Sequence, residues 1–221
     1  IDQNSFSSPT LDKELNEDLS TLNQKSIILP LGEVKISRNV KSILIIVRMN
    51  TDVEIWDQNK KRLFEQPKIE YSYRSINSLI SSINFCQNKY PKLKIKTIIV
   101  DDNSNNKNLD RIKKLIDGKN IDIISLNYDR YKSIIKEQKT KETFSNLASL
   151  MNSFEIGKNQ SEDLIFFIED DYLHFEPMLE EMVASYERIA SQLKKDFFMC
   201  PSDYPYLYMN NEKTNILIGN K

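Results

Sequence analysis

The sequence predicts an α/β domain, a doubly wound and mostly parallel sheet with helices on both faces. Three observations lead there. Short β-branched apolar runs recur along the 221 residues. Stretches with apolar residues at helical spacing separate them. The runs are continuously apolar rather than alternating, which suits strands buried on both faces and joined by helical crossovers.

The elements follow in order. Residues 1–40 are polar, with a weak helical stretch at Leu11–Leu22 and a short apolar piece at Ile27–Leu31; they read as a leader packing on the domain that begins at residue 41. Ser42–Val47 (SILIIV) is the first strand, and a polar, loop-like segment follows with Trp56 and Phe64 as anchors. Tyr73–Asn88 is a helix, with Ile76, Leu79, Ile80, Ile83 and Cys86 on one face and Pro91 just beyond its end. Lys94–Val100 (KIKTIIV) is the second strand. Leu109–Ile116 is a helix closed by Gly118, a C-terminal cap. Ile121–Leu126 is the third strand, and Lys141–Phe154 a helix carrying Phe144, Leu147, Leu150 and Met151. Asp163–Ile168 (DLIFFI) is the fourth strand, Pro177–Leu193 a helix with Pro in its first turn, and Asp196–Cys200 (DFFMC) a fifth strand.

Bulk composition excludes several functions. Lys and Arg total 31 against 32 Asp and Glu. That balance argues against nucleic acid as a partner, because phosphate backbones select basic faces. The apolar runs are far shorter than the roughly 20 residues a membrane helix needs, so membrane association would require a segment outside this chain. Cys86 and Cys200 have neither metal-ligand spacing nor disulfide-scaffold density, and read as reduced thiols in a cytoplasmic protein. The chain begins without Met and has no signal peptide, which reads as an internal fragment. With four glycines and neither GxGxxG nor GxxxxGK[ST], dinucleotide and P-loop sites are disfavoured.

The informative feature is where the carboxylates fall. Asp101 and Asp102 end the second strand, and Glu169, Asp170 and Asp171 end the fourth. Right-handed crossovers put the C-terminal ends of parallel strands on one edge, where such sheets bind ligands. Five carboxylates on one edge repel unless cations or hydrogen-bond donors compensate. A divalent cation bridging to a diphosphate does this, and hard oxygen ligands select Mg²⁺ or Mn²⁺. The competing reading is that each cluster is a polar loop start or helix cap.

Val100-Asp101-Asp102-Asn103-Ser104 resembles the VDDxS element of nucleotide-sugar glycosyltransferases of the GT-A type, close to family 2. Phe167-Ile168-Glu169-Asp170-Asp171-Tyr172-Leu173-His174 resembles their DxD-type metal motif, in the EDDYLH form of one bacterial subgroup. Asp203-Tyr204-Pro205-Tyr206-Leu207-Tyr208 is similar to a D-x-P-x-x-Y element of the same subgroup. The resemblance covers about residues 42–208 and rests on the order and spacing of the motifs. It implies a GT-A domain over residues 41–221, truncated on its C-terminal acceptor side. It also implies a metal-dependent enzyme that moves a sugar from a nucleotide-diphosphate donor to a saccharide or lipid-linked acceptor with inversion.

By this resemblance Asp101 and Asp102 hold the base and ribose, and Val47 and Arg48 line the same nucleotide pocket. Arg48 also reads as a surface cation. Asn146 matches a donor-side Asn. Asp171 coordinates Mn²⁺ or Mg²⁺ directly, while Asp170 and Glu169 contact the sugar or the ion's water ligands, with Glu169 next in line as a ligand. The ion acts as a Lewis acid on the leaving diphosphate. Inversion needs a general base, usually further toward the C-terminus than this chain reaches. Asp203 is the candidate left, otherwise an acceptor-pocket or structural residue. His174 either completes the metal shell or supports the start of a helix. Tyr204, Tyr206 and Tyr208 could stack on an acceptor sugar.

Two other classes fit part of the pattern. Ile98-Ile99-Val100-Asp101-Asp102-Asn103 also reads like the acidic pair of a phospho-acceptor receiver domain, although there the pair ends the first strand. A nucleotidyltransferase also uses metal-bound carboxylates, but usually with a Gly-rich loop that this chain lacks.

Overall fold

A computed structural model describes residues 32–52, 66–136 and 140–199. They form β1 (Ser42–Met49), α1 (Lys68–Lys89), β2 (Lys94–Asp101), α2 (Asn106–Ile116), β3 (Ile121–Ser125), α3 (Lys141–Gln160), β4 (Leu164–Glu169) and α4 (Met178–Leu193). The fold is α/β. Its four strands are all parallel, in the order β3-β2-β1-β4.

The runs SILIIV and KIKTIIV became the two central strands, covered on both faces and paired on both edges. DLIFFI, also expected to be buried on both faces, became the edge strand β4 instead, with Ile165 and Phe167 exposed. In β1 every residue but Arg48 is buried, and in β2 Thr97–Asp101 are all buried. On one face Leu44, Ile46, Ile98 and Val100 pack with Ala148 and Ile156 of α3 and with Leu126, Tyr131 and Ile135. Right-handed crossovers put α1 and α2 on the other face. There the alternate residues Ile43, Ile45, Val47 and Ile99 are buried, as are Ile76, Leu79 and Ile80 of α1. Where α3 passes β4 it carries Gly157; a Cβ there would lie 2.9 Å from Ile165 Cδ1, so a small residue permits the close approach.

The helix ends follow local chemistry. The Asn105 side chain accepts the Asn108 N–H at 2.9 Å and starts α2, and the Thr140 hydroxyl accepts the Thr143 N–H at 3.1 Å and starts α3. Gly118 has φ +70°, the left-handed turn that closes α2. Gly118→Ala is therefore expected to cost about 1 kcal/mol, the penalty for a Cβ in that region. Urea denaturation would show it as a lower midpoint with an unchanged slope.

The described chain divides into two compact units, residues 40–180 and residues 32–39 with 181–199. The first holds the sheet, α1 to α3 and the start of α4. There the Leu179 N–H donates to Ser82 Oγ at 3.0 Å, and Lys89 pairs with buried Glu180. Cys86 is a buried free thiol, pushed up to about 11 by burial and by the Glu180 charge.

In the second unit Ser191 Oγ accepts the N–H groups of Ser37 and Arg38 at 2.9 and 3.0 Å. The expected fifth strand does not form there. Residues 196–199 have no strand pairing, and Cys200 lies outside the described residues. Side chains hold this segment instead. Asp196 takes the Arg38 guanidinium at 2.9 Å and the Tyr186 hydroxyl at 2.8 Å, Phe197 stacks on Tyr186, and Phe198 is exposed. The leader elements expected before residue 32, and Trp56 and Phe64, lie outside the described residues.

Candidate functional site

Strand order locates the site. The chain builds β1, β2 and β3 outward in one direction and then returns to place β4 on the other side of β1. This reversal beside β1 is the topological switch point, where sheets of this kind open a crevice at the strands' C-terminal ends. Met49 lies opposite Asp101, and Arg48 opposite Glu169. The two acidic strand ends thus flank the end of β1 on either side.

On the β2 side, Asp101 is 1% exposed and accepts the Ser104 N–H at 3.3 Å. Burial pushes its carboxyl up, against the pull of the Ser104 bonds. Asn103 at φ +55° makes the tight turn that allows them. Asp102, also buried, is a hub. It accepts the hydroxyls of Tyr128 and Ser145, and Asn50 Nδ2 at 3.2 Å. The Tyr128 hydroxyl is raised by burial and by the Asp102 carboxylate, so it stays a donor. Its ring lies 5.9 Å from that of Phe144 on α3.

On the β4 side, alternation sends successive side chains to opposite faces. Glu169, on the α3 face, pairs with Arg48, and Arg48 Nη1 also donates to Asn146 Oδ1 at 2.7 Å. Three residues singled out in the sequence, Arg48, Asn146 and Glu169, thus meet in one cluster. Asp170, on the α1 face, is 5% exposed. It accepts Lys68 Nζ at 2.7 Å, the Ser72 hydroxyl, and the Asn50 N–H at 3.3 Å. Burial raises this carboxyl while Lys68 and Ser72 pull it down. Asp171 is 53% exposed, with Lys68 Nζ at 3.4 Å.

Asn50 therefore touches both acidic ends, Asp102 through its side-chain amide and Asp170 through its backbone. Next to it the Thr51 N–H donates to Ser104 Oγ at 3.1 Å, and Asp52 accepts Asn108 Nδ2 at 2.9 Å, fixing the β1 end to the start of α2.

Val47 is buried in the core, so its side chain belongs to packing at this edge. His174 Nε2 is buried with no hydrogen-bond partner among the described residues, and burial lowers the imidazole to about 4. It is neutral at pH 7, with its backbone N–H on Ser78 Oγ at 3.0 Å. Asp203 and the tyrosines Tyr204, Tyr206 and Tyr208 lie outside the described residues.

The sequence reading missed Asn50, Lys68, Ser72, Tyr128 and Ser145. Only Asn50 left a signal, standing three residues past the end of the first strand's run. The other four sit in stretches with no motif, and become visible only as donors to Asp102 and Asp170.

Among the described residues no group of three or more His, Cys, Asp and Glu side chains is placed to hold a metal ion by itself. The half-exposed carboxylates of the two acidic ends are Asp171 and Glu169, each with one cation beside it. Mg²⁺ commonly uses one or two carboxylates, keeps waters and takes substrate phosphates for the rest. The residues present fit an ion of that kind. No helix among the described residues is long and apolar enough to cross a membrane. Compared with known proteins, the chain matches no family model, no curated protein and no solved structure.

Proposed function

We propose that the sheet edge around Asn50 is the donor site of a metal-dependent glycosyltransferase. The enzyme would move a sugar from a nucleotide-diphosphate donor to a saccharide or lipid-linked acceptor, with inversion. The observation that supports this best is the hydrogen bonding of one residue, Asn50, to both acidic strand ends at the switch point. The two motifs of the resemblance thereby meet at the end of β1.

In this reading Asp102 offers its carboxylate to the ribose, with Tyr128 and Ser145 orienting it. Asp101 supports the turn beneath the base, and Val47 contributes packing and backbone. Arg48, held between Glu169 and Asn146, supplies positive charge toward the donor. Asp171 holds Mn²⁺ or Mg²⁺ together with the donor's own phosphates, and Asp170 fixes the turn that carries Asp171. When bound, the ion supplies Lewis-acid stabilisation of the leaving diphosphate. The general base is assigned to Asp203 or to a carboxylate beyond residue 221.

The receiver reading fares worse, because Asp170, which would stand in the phospho-acceptor's place, is buried and ion-paired with Lys68. A phospho-acceptor must present an open carboxylate oxygen. The nucleotidyltransferase reading gains no support from a site with so few glycines.

The test is a thermal-shift titration with UDP, GDP, CMP and dTDP, each with and without Mn²⁺. Binding at 100 times Kd stabilises the native state by about 2.7 kcal/mol, a readable shift. One nucleotide is expected to give a metal-dependent shift, and Asp171→Ala to lose the metal-dependent part. No shift with any nucleotide, or a shift indifferent to Mn²⁺ and to Asp171, sinks the reading. Stabilisation by beryllofluoride instead would favour the receiver class.

A further inference from the structure

We propose that Lys68 is a built-in counter-cation that competes with a divalent ion for Asp171. The inference rests on the donor-site reading above. Lys68 is the first residue of α1 and 8% exposed, a depth at which lysine is rarely found unless paired. Its ammonium lies between two carboxylates, 2.7 Å from Asp170 Oδ1 and 3.4 Å from Asp171 Oδ2.

The two contacts are unequal. Asp170 is buried and further fixed by the Ser72 hydroxyl and the Asn50 N–H. Asp171 is half-exposed, and its contact with Lys68 is longer. An ion reaching Asp171 must displace the ammonium from that carboxylate, yet Lys68 remains anchored on Asp170 and close by. The residual repulsion weakens binding of the bare ion. An ion that arrives with a diphosphate brings negative charge for both cations. Lys68 thus makes retention of the metal depend on the nucleotide diphosphate, a control over binding order built from one side chain.

The probe is Mn²⁺ alone, titrated calorimetrically into the wild-type chain and the double variant Lys68→Met/Asp170→Asn. This variant removes one positive and one negative charge together, so local net charge is kept and no buried charge is orphaned. Asp171 stays in place. Mn²⁺ is expected to bind about fivefold tighter to the double variant, the upper end of what a half-exposed ion pair contributes. Equal or weaker binding overturns the inference while the donor-site reading stands, provided Asp171→Ala abolishes Mn²⁺ binding. Absence of Mn²⁺ binding to either chain, alone or with each of UDP, GDP, CMP and dTDP, overturns both. A second readout needs no variant. In ¹⁵N-lysine-labelled wild type, Mg²⁺ is expected to shift the Lys68 ammonium resonance, and a resonance unmoved at saturation overturns the inference.

Discussion

Asp170→Ala is expected to destabilise the fold by about 3 kcal/mol, the low end of what removing one partner of a buried ion pair costs. The substitution strands Lys68 at the start of α1, where it is 8% exposed, leaves the Asn50 N–H without its acceptor, and leaves the Ser72 hydroxyl only the Lys68 carbonyl at 3.2 Å. The loss stays at the low end because Asp171 Oδ2, 3.4 Å from the ammonium, can take Lys68 over. Asp170→Asn keeps an acceptor for Ser72 and Asn50 and should cost less. Lys68→Met with Asp170→Asn should cost much less than the sum of the two single changes, because neither partner is then left charged and alone. Urea denaturation of the wild type, Asp170→Asn, Lys68→Met and the double variant closes the cycle, with Asp170→Ala measured beside it. A cost for Asp170→Ala within about 1 kcal/mol of zero would mean that water already reaches Lys68 freely, as at a surface pair.

That cycle bears on what the sequence could reveal. Five carboxylates at two strand ends were legible, because each cluster directly follows an apolar run whose strand character is plain. The expectation that cations or hydrogen-bond donors must compensate them is answered within the chain: Arg48 pairs with Glu169 and Lys68 with Asp170, while hydroxyl and N–H donors serve Asp101 and Asp102. Arg48 was visible because it closes the β1 run. Lys68 was not, since it stands 102 positions from Asp170 in a stretch that reads as polar.

The same blindness set the start of α1. Apolar periodicity placed the helix at Tyr73–Asn88, whereas it runs from Lys68 to Lys89. In its first turns Lys68, Ser72 and Ser75 are polar yet buried, and the first two serve Asp170 rather than the core. Periodicity of apolar residues cannot register a turn whose buried face is polar. At α3 the helix outruns Phe154 to Gln160, because Ile156 and Gly157 are buried where it crosses β4, and a glycine there reads as a break rather than as a close approach. The strand at Asp196–Cys200 failed for the converse reason. Its apolar run was real, but a run alone does not show what its residues pair with, and Asp196 and Phe197 have side-chain partners instead.

His174 makes the second large prediction, a loss of stability on mild acidification that disappears with its imidazole. Burial lowers the folded-state value to about 4, whereas the unfolded chain protonates His near 6.5. Between those values the unfolded state binds more protons, so this residue makes stability rise with pH and fall as pH drops from 6.5 toward 4. The full effect is at most about 3 kcal/mol, since each pH unit separating the two values is worth about 1.4 kcal/mol and His174 is partly exposed. Asp101 and Asp170 act in the opposite sense. Burial raises both above the ordinary carboxylate value, so the folded state binds more protons there and gains stability as pH falls. Raw pH profiles therefore mix opposing slopes, and the difference between wild type and His174→Gln isolates the imidazole. Urea midpoints at pH 7 and pH 5 are expected to fall clearly further for wild type than for His174→Gln. Equal falls would place the imidazole in water, where its Nε2 is solvated and loses nothing on protonation. It would then be free to turn toward Asp171, three positions before it, and a metal-ligand role for His174 would become the better reading.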